Sequence, residues 1–569
     1  MAGRFCVWGK LASSLFWIFW LLCLSSTVRA EYAPDPDDGG LKLPPGFHAF
    51  VFADNLGKLE FMTVRPNGDI YIHKRNQGIV ALRCSDGSGR ADIMDIFGRN
   101  DHGGSDVVFR GDWLYYTTAS EVYRYRLQGQ DLFPSSEPER IVTGLPAEEE
   151  HVAKTLAFDP QGNLYVEVGS PSNASAVNDR SRGAKGIDPT PLFRTHAGFW
   201  KFKPDVKDQT QKDATRFGTG FPNIRAVAWQ PVSQALFVVM SGREQLHDVD
   251  PADFTPKQNA ELPAEEMHKL TATSNFGWPF TYYDPFQKAR MIAPEFGGDG
   301  KKRDESGKYP APLVAFPAHW SPRQMIIYTG TQFPKKYRDG AFIAFHGSWD
   351  RAPLPQTGYY VGFAPFNSQG MPTGRYEIFA DGFAGKSVIF SPQDAKYRPN
   401  GLAMGPDGSL YVADSEHGRV WCIFYSAGMP GKVVQPINYS EKNSSSQAAI
   451  PEKPLSSGGK LYQANCANCH QITGTGLPGV IPSLVDSEIV EKKPDLLIRT
   501  VLFGLKKTQS AKQSDEIKTM HNFLRLKDKE VAMILTYVRQ EFGKGAPAID
   551  AQTVSQIRAE KIEPAQPEE

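Results

Sequence analysis

The sequence carries no excess of charge of either sign. Lysine and arginine together number 63, and aspartate and glutamate also number 63. Proteins that bind nucleic acid or anionic membrane surfaces usually present a strongly basic balance or patch. The even balance favours neither kind of partner, and we expect the chain to bind no nucleic acid.

Long apolar runs are scarce, and the longest is LFWIFWLLCL at residues 15–24. It follows the basic residues Arg4 and Lys10 and precedes Val28-Arg29-Ala30, which has the pattern of a signal-peptide cleavage site. The run is short for a helix that crosses a bilayer. We therefore predict a signal peptide over residues 1–30, an exported or periplasmic location, and no transmembrane segment in the mature chain. A retained membrane anchor is the alternative.

Cysteine is also scarce. Six cysteines are encoded, two of them within the predicted signal peptide, and Cys466 and Cys469 share one motif. Cys84 and Cys422 remain, in a compartment where disulfides persist. The sequence leaves open whether they form a disulfide or stay as two buried free thiols.

Aromatic and turn-forming residues are abundant by contrast. Phe, Tyr and Trp make up 12% of the chain, which also contains 52 glycines and 43 prolines. Many aromatics together with many turn formers favour a β-rich protein over a helical one.

A short unit recurs along the chain: alternating apolar residues, a tight Pro-x-Gly-like turn and a second β-rich run. This is the sequence pattern of a β-hairpin. Hairpins repeated with long variable insertions indicate a β-propeller, in which small antiparallel sheets surround an axis. We therefore predict a six-bladed β-propeller over residues 41–426. The clearest copies are residues 61–82, 156–170, 227–243 and 402–423, and weaker copies are residues 106–127 and 325–349.

The pattern changes after the propeller. Residues 427–457 are rich in Pro, Ser and Asn without periodicity, which predicts a flexible linker. Apolar residues then recur at helical spacing in residues 493–504 and 526–543. The sequence predicts a small all-α domain over residues 458–545 and a polar tail over residues 546–569. The expected fold class is mainly β, with the propeller followed by this helical domain.

The chemistry of the helical domain is indicated by the motif Cys466-x-x-Cys469-His470. Two cysteines one helical turn apart can form thioether bonds to a haem, and the adjacent histidine can bind its iron. A disulfide or redox-active cysteine pair that happens to precede a histidine is the alternative. An exported, small helical domain favours the haem, so we predict one covalent c-type haem with His470 as an iron ligand.

The helical domain resembles class I cytochromes c, through GGKLYQANCANCH around this motif and through a last helix that carries Tyr537. That family takes its other iron ligand from a methionine in the loop before the last helix. The resemblance implies Met520 in KTMHNFLRL, with His521 as the rival ligand and Met533 as a packing residue. A His/Met pair raises the haem potential and suits electron transfer.

The propeller region, residues 41–426, contains no G-x-G-x-x-G fingerprint for a dinucleotide cofactor. Five of its segments carry a different resemblance: HVAKTLAFDPQGNLYVEVGSPSN (151–173), SNFGWPFTYYDP (274–285), VAFPAHWSP (314–322), FHGSWDR (345–351) and YRPNGLAMGPDG (397–408). They are similar to soluble glucose/sorbosone dehydrogenases, above all to the sorbosone- and pyranose-dehydrogenase branch. Members oxidise sugars with pyrroloquinoline quinone (PQQ) and Ca²⁺, and several carry a fused cytochrome c.

The resemblance implies that His151 faces the quinone and acts as the catalytic base. Oxidation of a sugar hydroxyl needs a base for the O–H proton while a hydride leaves carbon, and histidine titrates near neutral pH. A buried, hydrogen-bonded structural histidine is the alternative reading of His151.

The three carboxylates of PQQ need fixed cations. The resemblance implies that Arg351 and Arg398 bind the quinone, because both lie close to the positions of the family's cofactor-binding cations. The alternative for both is a solvated charge on a loop. The family commonly has a Gly-x-Arg-Asn turn where this chain reads TGFPNIRAVAW (219–229), so that Pro222 replaces the arginine. Either Arg225, three residues further on, reaches the quinone through a changed turn, or that contact is absent.

The resemblance places the Ca²⁺ ligands at two successive backbone carbonyls, those of Gly242 and Arg243 in MSGREQLHD. Calcium prefers oxygen ligands, and as a Lewis acid it would polarise the quinone carbonyl that receives hydride.

Two functions follow from these expectations. The first is an exported quinoprotein that oxidises a sugar or sugar-derived aldehyde and passes electrons through its haem to a downstream cytochrome or other respiratory-chain component. The second is a propeller without quinone, which binds a glycan or a partner protein and shares a chain with an electron-transfer cytochrome c domain. His151 and the haem motif favour the first function, and Pro222 favours the second.

Overall fold

The computed structural model describes residues 32–98, 104–147, 150–427, 456–476, 481–504, 520, 522–524 and 526–560. The predicted signal peptide, nearly all of the predicted linker and the rival haem ligand His521 lie outside the described residues. Within the described ranges, no helix combines the length and the apolar character needed to cross a membrane.

Six four-stranded antiparallel sheets make up the first part of the chain. The first strand, β1 (Phe47–Ala53), belongs to the last sheet. Blade 1 contains β2 (Leu59–Val64), β3 (Ile70–Lys74), β4 (Gly78–Arg83) and β5 (Ile93–Phe97); blade 2 contains β6 (Val107–Arg110), β7 (Trp113–Thr117), β8 (Val122–Arg126) and β9 (Glu139–Val142). Blade 3 contains β10 (Leu156–Phe158), β11 (Leu164–Val168), β14 (Gly198–Phe202) and β15 (Thr215–Thr219), with the hairpin of β12 (Ala176–Val177) and β13 (Lys185–Gly186) inserted before β14.

The remaining blades follow the same order. Blade 4 contains β16 (Ile224–Gln230), β17 (Ala235–Met240), β18 (Glu265–Leu270) and β21 (Val314–Phe316). Its insertions hold the short helices α1 (Leu246–Val249) and α2 (Pro256–Glu261) and the hairpin of β19 (Thr281–Asp284) and β20 (Ala289–Ile292). Blade 5 contains β22 (Pro322–Ile327), β23 (Ala341–His346), β24 (Tyr359–Ala364) and β25 (Glu377–Ala380), and blade 6 contains β26 (Pro399–Met404), β27 (Leu410–Asp414), β28 (Val420–Tyr425) and β1.

The ring closes through β1, which comes from the start of the chain. It pairs antiparallel with β28 from Phe47 opposite Tyr425 to Ala53 opposite Val420. The first strands of consecutive blades also contact one another all the way round the axis. The prediction of a six-bladed propeller is therefore confirmed.

The predicted hairpin turns are present where the sequence has Pro-x-Gly. Gly68 follows β2 with φ of 93°, and Gly408 follows β26 with φ of 88°. Glycine adopts this left-handed region without the steric cost that a Cβ would bring. The turn residues thus allow each first strand to reverse directly into the second strand of its blade.

Aromatic side chains fill the space between the last two blades. Phe47 makes edge-on contacts with Phe333, at 4.8 Å between ring centroids, and with Phe379, at 4.9 Å. Such contacts add to the free energy gained by burying large apolar surfaces. This packing ties the closing strand β1 to blade 5 as well as to blade 6.

The two propeller cysteines are free thiols. Cys422 is fully buried, and Cys84 is partly buried against the same hydrophobic cluster. The structure thus has two free thiols rather than a disulfide, and only Cys422 is fully buried.

The described C-terminal residues form six helices: α3 (Ser457–Asn465), α4 (Ala467–His470), α5 (Glu488–Lys492), α6 (Pro494–Phe503), α7 (Asp528–Glu541) and α8 (Ala551–Ala559). Helices α3 and α7 cross closely at Gly458, where an added Cβ would lie 2.3 Å from the Met533 carbonyl oxygen. This packing confirms the small all-α domain.

Helix α8 lies within the segment that the sequence predicts to be a polar tail. Val554 and Ile557 are buried in the core of the helical domain, and the Asp550 carboxylate caps the helix by accepting a hydrogen bond from the Thr553 N–H at 2.9 Å. The Arg558 guanidinium also donates to the Asp528 carboxylate at 2.6 Å, so the helix is attached to the domain by apolar and charged contacts. The predicted tail is therefore partly a folded element.

Candidate functional site

His151 lies just before β10 in a strained backbone conformation. Its φ is 53°, a left-handed value that is uncommon for residues other than glycine. The Nδ1 atom lies 2.8 Å from the Ser170 carbonyl oxygen, while the Ser170 N–H donates to the Pro222 carbonyl at 2.7 Å. Gly169 allows this close approach, because a Cβ there would lie 2.6 Å from the Cβ of His151. The turn around Pro222 thus helps to hold the histidine ring.

The hydrogen bond to Ser170 fixes the role of each ring nitrogen of His151. A carbonyl can only accept, so Nδ1 carries the proton and Nε2 keeps a free lone pair. Burial lowers the pKa of His151 below its usual value, and the charge of Glu150 acts in the opposite direction. The side chain remains partly exposed, so a neutral imidazole with a basic nitrogen is accessible at this position.

Arg180 connects the surroundings of His151 to the next blade. Its guanidinium forms an ion pair with Glu150, next to His151, and another with Glu244 at 2.8 Å. It also donates to the Gln245 side-chain carbonyl at 2.8 Å. The segment that carries the predicted calcium ligands is therefore held beside the candidate base.

The backbone carbonyls of Gly242 and Arg243 are available for a ligand. In the part of the chain that the structure describes, no N–H or O–H group donates to either carbonyl oxygen. The Gly242 N–H is held by the Glu265 carboxylate at 2.8 Å, and the Arg243 side chain is buried in an ion pair with Glu295. A Cβ at Gly242 would lie 2.9 Å from Pro263, so the turn is closely packed. Two unsatisfied oxygens on a fixed turn suit a hard cation such as Ca²⁺.

Arg225 lies in the centre of the propeller, where it pairs with a carboxylate. One guanidinium nitrogen lies 3.0 Å from Glu60, and the group lies over the Phe61 ring at 4.6 Å. Glu60 also bonds Arg75 and accepts a hydrogen bond from the Asn400 amide at 3.0 Å. Burial alone would raise the pKa of Glu60, but Arg75 and Arg225 outweigh burial and hold the pKa well below its usual value. The charge of Arg225 is thus partly compensated within the protein.

Arg323 is a further cation at the centre of the propeller, and it was not among the residues predicted from the sequence. It occupies the second position of β22, as Arg225 does in β16. No described residue forms a hydrogen bond or an ion pair with its guanidinium. Burial and the neighbouring Arg225 lower the pKa of Arg323 to about 9, because several positive charges meet here. A cation without a carboxylate partner fits the anionic group that the resemblance implies.

Arg398 lies close to the same group of charges. It donates to the carbonyls of His346 at 2.9 Å and Gly347 at 3.0 Å, and it lies 3.9 Å from Glu416. Its charge is one cause of the lowered pKa of Arg323. The structure thus places two of the predicted quinone ligands, Arg225 and Arg398, with Arg323 in one electropositive region.

Arg351 is engaged by backbone carbonyls. Its guanidinium donates to Ala260 at 2.7 Å and to Pro355 at 3.2 Å. The bond to Ala260 joins the loop after β23 to helix α2, and the bond to Pro355 lies within that loop. In this structure Arg351 therefore braces loops of blades 4 and 5 around the candidate site.

The haem motif begins at Cys466, between α3 and α4, and continues through all of α4. His470 is buried, and its Nδ1 lies 3.1 Å from the Pro482 carbonyl oxygen. That bond again places the proton on Nδ1, which leaves Nε2 free to bind iron. Burial lowers the pKa of His470 to about 4, so the ring is neutral at physiological pH, as a metal ligand must be.

Cys466 and Met520 both pack against the hydrophobic core of the helical domain. The predicted thioether attachment and the predicted second iron ligand therefore adjoin the same apolar cluster. An apolar surrounding is the environment that a buried haem requires.

Two family models match the chain. The TrAA12-like family matches residues 41–426, and the cytochrome c family matches residues 455–541. The molecule is thus a β-propeller joined to a c-type cytochrome domain, and a cytochrome of this class carries a covalent haem. The chain belongs to the TrAA12-like family, since that model matches more than half of its length. The predicted resemblance to quinoprotein sugar dehydrogenases with a cytochrome is confirmed.

Individual relatives match each part. Cytochrome c-552 of Thermus thermophilus is 36% identical over 118 residues, which are 19% of this chain and 89% of that protein. A pyrroloquinoline quinone-dependent pyranose dehydrogenase of Coprinopsis cinerea is 28% identical over 210 residues, 31% of this chain and 26% of that protein. The calcium structure of a Trichoderma reesei enzyme of carbohydrate-active family AA12 has a TM-score of 0.56 at 18% identity, covering 68% of this chain and 97% of that chain. This last likeness shows the propeller fold.

Replacing Met520 with Ala tests the second iron ligand. We expect the haem to stay attached through its thioether bonds, while the Met–iron charge-transfer band at the red end of the oxidised spectrum disappears. Met533, which lies in α7, is the matched control, and its replacement with Leu should leave the band in place. Persistence of the band in Met520→Ala would mean that another residue binds the iron.

Proposed function

We propose that this chain is an exported quinohaemoprotein dehydrogenase, which oxidises a pyranose sugar or a sugar-derived aldehyde and delivers the electrons to its own haem. When bound, PQQ with Ca²⁺ supplies the hydride acceptor. The relative in Coprinopsis cinerea is a pyrroloquinoline quinone-dependent pyranose dehydrogenase, which supports both the quinone and the pyranose class of substrate. The observation that carries the proposal is the geometry of His151. Its side chain is partly exposed, its Nδ1 is held by the Ser170 carbonyl, and its Nε2 is left free to act as a base.

His151 would remove the proton from the substrate hydroxyl. With Nδ1 engaged at the Ser170 carbonyl, Nε2 is the nitrogen that accepts the proton. Oxidation of one hydroxyl, or of one hydroxyl of a hydrated aldehyde, then gives up one proton, to His151, and a hydride, which carries two electrons. When those two electrons pass one at a time to the haem, the proton that remains from the hydride is released to water. The carbonyl product leaves, and the proton on His151 passes to water.

The chain's own groups would orient the quinone. Arg323 and Arg398 would bind its carboxylates, because the positive charges in this region exceed the nearby negative ones. The carbonyls of Gly242 and Arg243 would bind Ca²⁺. Together these contacts define a site that takes a planar anion with a metal ion.

The haem can accept only one electron at a time, so it must be reoxidised between the two transfers. A one-electron acceptor, such as a cytochrome or another respiratory-chain component, would take each electron from ferrous haem. The predicted signal peptide supports an exported location, most simply the periplasm, where such carriers are found.

One observation favours the binding-module alternative. Pro222 offers no cation where the family commonly has an arginine, and Arg225 is already paired with Glu60. A propeller with too few free cations would bind no quinone and would serve as a glycan- or protein-binding module attached to the cytochrome.

Rapid-mixing measurements on the full-length holoprotein separate the two functions. After loading with PQQ and Ca²⁺, aldoses and sugar-derived aldehydes should reduce the haem at a rate independent of protein concentration. His151→Ala should slow this reduction by roughly 10²–10⁴-fold, because proton removal no longer has a positioned base. Reduction of the same variant's haem by ascorbate should stay normal, which shows that the cytochrome is intact. If no substrate of either class reduces the haem in the loaded wild type, the binding-module function is the better account.

The pH dependence follows from the environment of His151. Burial lowers its pKa, and only the neutral ring can act as a base. The acidic limb of kcat/KM should therefore have an apparent pKa below about 6.5, the ordinary value for histidine. An acidic limb at or above the ordinary value would argue against His151 as the base.

Arg323→Leu tests the electrostatic part of the proposal without any turnover. Quinone binding, followed by the absorbance or fluorescence of PQQ titrated into the calcium-loaded protein, should weaken by roughly 10–100-fold, the value of a charge-assisted hydrogen bond. Arg126→Gln removes the same charge from an exposed position on blade 2 and should leave the affinity unchanged. Equal affinities of the wild type and Arg323→Leu would exclude Arg323 as a quinone ligand.

A further inference from the structure

The haem motif lies against the mouth of the propeller. Gln245, which follows the predicted calcium turn, points its amide nitrogen at the Cys469 sulfur at 3.6 Å. Ala352 of blade 5 is buried in the same hydrophobic cluster as the core of the helical domain. The two domains therefore share both a polar and an apolar contact.

Gln471, the residue after the haem histidine, is the centre of this contact. It is completely buried and has a left-handed φ of 63°. Its side-chain nitrogen donates to the Trp349 carbonyl at 3.2 Å, and its side-chain oxygen accepts from the Gln356 amide at 3.3 Å. Its own backbone carbonyl accepts from the Tyr462 hydroxyl at 2.6 Å. One residue is thus fixed by both domains.

Further hydrogen bonds extend the contact along the next loop of the propeller. The Gln393 amide donates to the Gly476 carbonyl at 3.1 Å, and the Thr475 hydroxyl donates to the Ser391 hydroxyl at 3.1 Å. These partners lie on loops of the same face as Gln356. The paired groups give this face a defined register, because a shifted cytochrome would leave buried polar groups without partners.

Trp349 links this face to the candidate site. Its ring nitrogen donates to the Glu244 carboxylate at 2.8 Å, and Glu244 follows the predicted calcium ligand Arg243. Its backbone carbonyl is the acceptor for Gln471. Trp349 therefore touches the segment that would hold the metal and the residue that follows the haem ligand.

We propose that the contact around Gln471 is the electron-transfer face of the molecule, on which the cytochrome works in a docked position with Trp349 as the positioning residue. This inference rests on the proposed function. Each substrate molecule gives up two electrons, which cross this face one at a time to ferric haem, and a one-electron acceptor reoxidises the ferrous haem between transfers. The docked geometry makes the transfer intramolecular and places the haem motif beside the segment that would hold the metal.

The first test measures docking itself, without substrate or quinone. In hydrogen exchange of the full-length, haem-loaded protein, residues 348–357 and 471–476 should be protected together. Gln356→Leu removes the bond to Gln471 and also the bond from the Ser348 hydroxyl within the propeller loop, so it should raise exchange in both segments. The rise in residues 471–476 is the measure of docking, because those residues belong to the cytochrome domain. Fast exchange of both segments in the wild type would show that the face is not occupied in solution.

The second test measures electron transfer in the quinone-loaded protein. Gln356→Leu and Trp349→Leu should each slow haem reduction by substrate by about tenfold or more, because each weakens the docked position. Trp349→Phe should slow the reduction about as much as Trp349→Leu, because both lose the indole N–H that donates to Glu244. Trp113→Phe, at the start of β7 in blade 2, is the matched control and should have the wild-type rate.

A soluble two-electron dye, which accepts electrons without the haem, distinguishes a failure of this inference from a failure of the proposed function. Dye reduction by substrate should be the same in the wild type and in the Gln356 variant. If the dye is reduced and both docking variants reduce their haem at the wild-type rate, the docked face is not the route. If the wild type reduces neither dye nor haem, the proposed dehydrogenase function itself is wrong.

Discussion

The centre of this propeller depends on one buried carboxylate. Glu60 comes from blade 1, and it joins Arg225 of blade 4, on the opposite side of the axis, to Asn400 of blade 6. A buried charge without a partner costs several kcal/mol, and removing one partner of such a pair leaves the other charge uncompensated. The strands that meet at the axis are therefore held in register by charge as well as by apolar packing.

The same balance explains why the centre suits an anion. Glu60 is already bonded to Arg75 and Arg225, so it offers little compensation to Arg323. The positive charge that remains lowers the pKa of Arg323 and favours a bound anionic group. His151, by contrast, is kept neutral by burial and oriented by the Ser170 carbonyl. The site thus combines cations that would hold a charged cofactor with a neutral base that can take a proton.

The sequence predicted what local signals encode, and missed what depends on distant partners. Pro-x-Gly turns and the Cys-x-x-Cys-His motif are local, so the six blades and the haem site could be predicted. The partner of Arg225 lies 165 residues away, and no local pattern indicates it.

One signal was nevertheless available, because Glu60, Arg225 and Asn400 each lie six residues before the turn proline of their repeat. Superposing the repeats would have brought these three residues together, whereas Arg323 has no turn proline at that spacing. The three-residue spacing of Val554 and Ile557 is likewise typical of a helix. The many charged and polar residues around them led to the prediction of a polar tail instead.

The arrangement of the domains changes how the linker should be understood. If the tether were only a flexible chain of the predicted length, about 30 residues, it would span roughly 30 Å and give the cytochrome an effective concentration near the millimolar range. That concentration matters only if the two domains meet by chance. A face with paired hydrogen bonds around Gln471 makes the encounter specific, so the linker needs only to keep the cytochrome close enough to dock. In the proposed function the haem would also have to meet an external acceptor, so the most useful interface would be stable enough to fix the geometry and weak enough to open. Side-chain amides and hydroxyls, each making a modest net contribution to the free energy of docking, provide that balance better than a large apolar patch would.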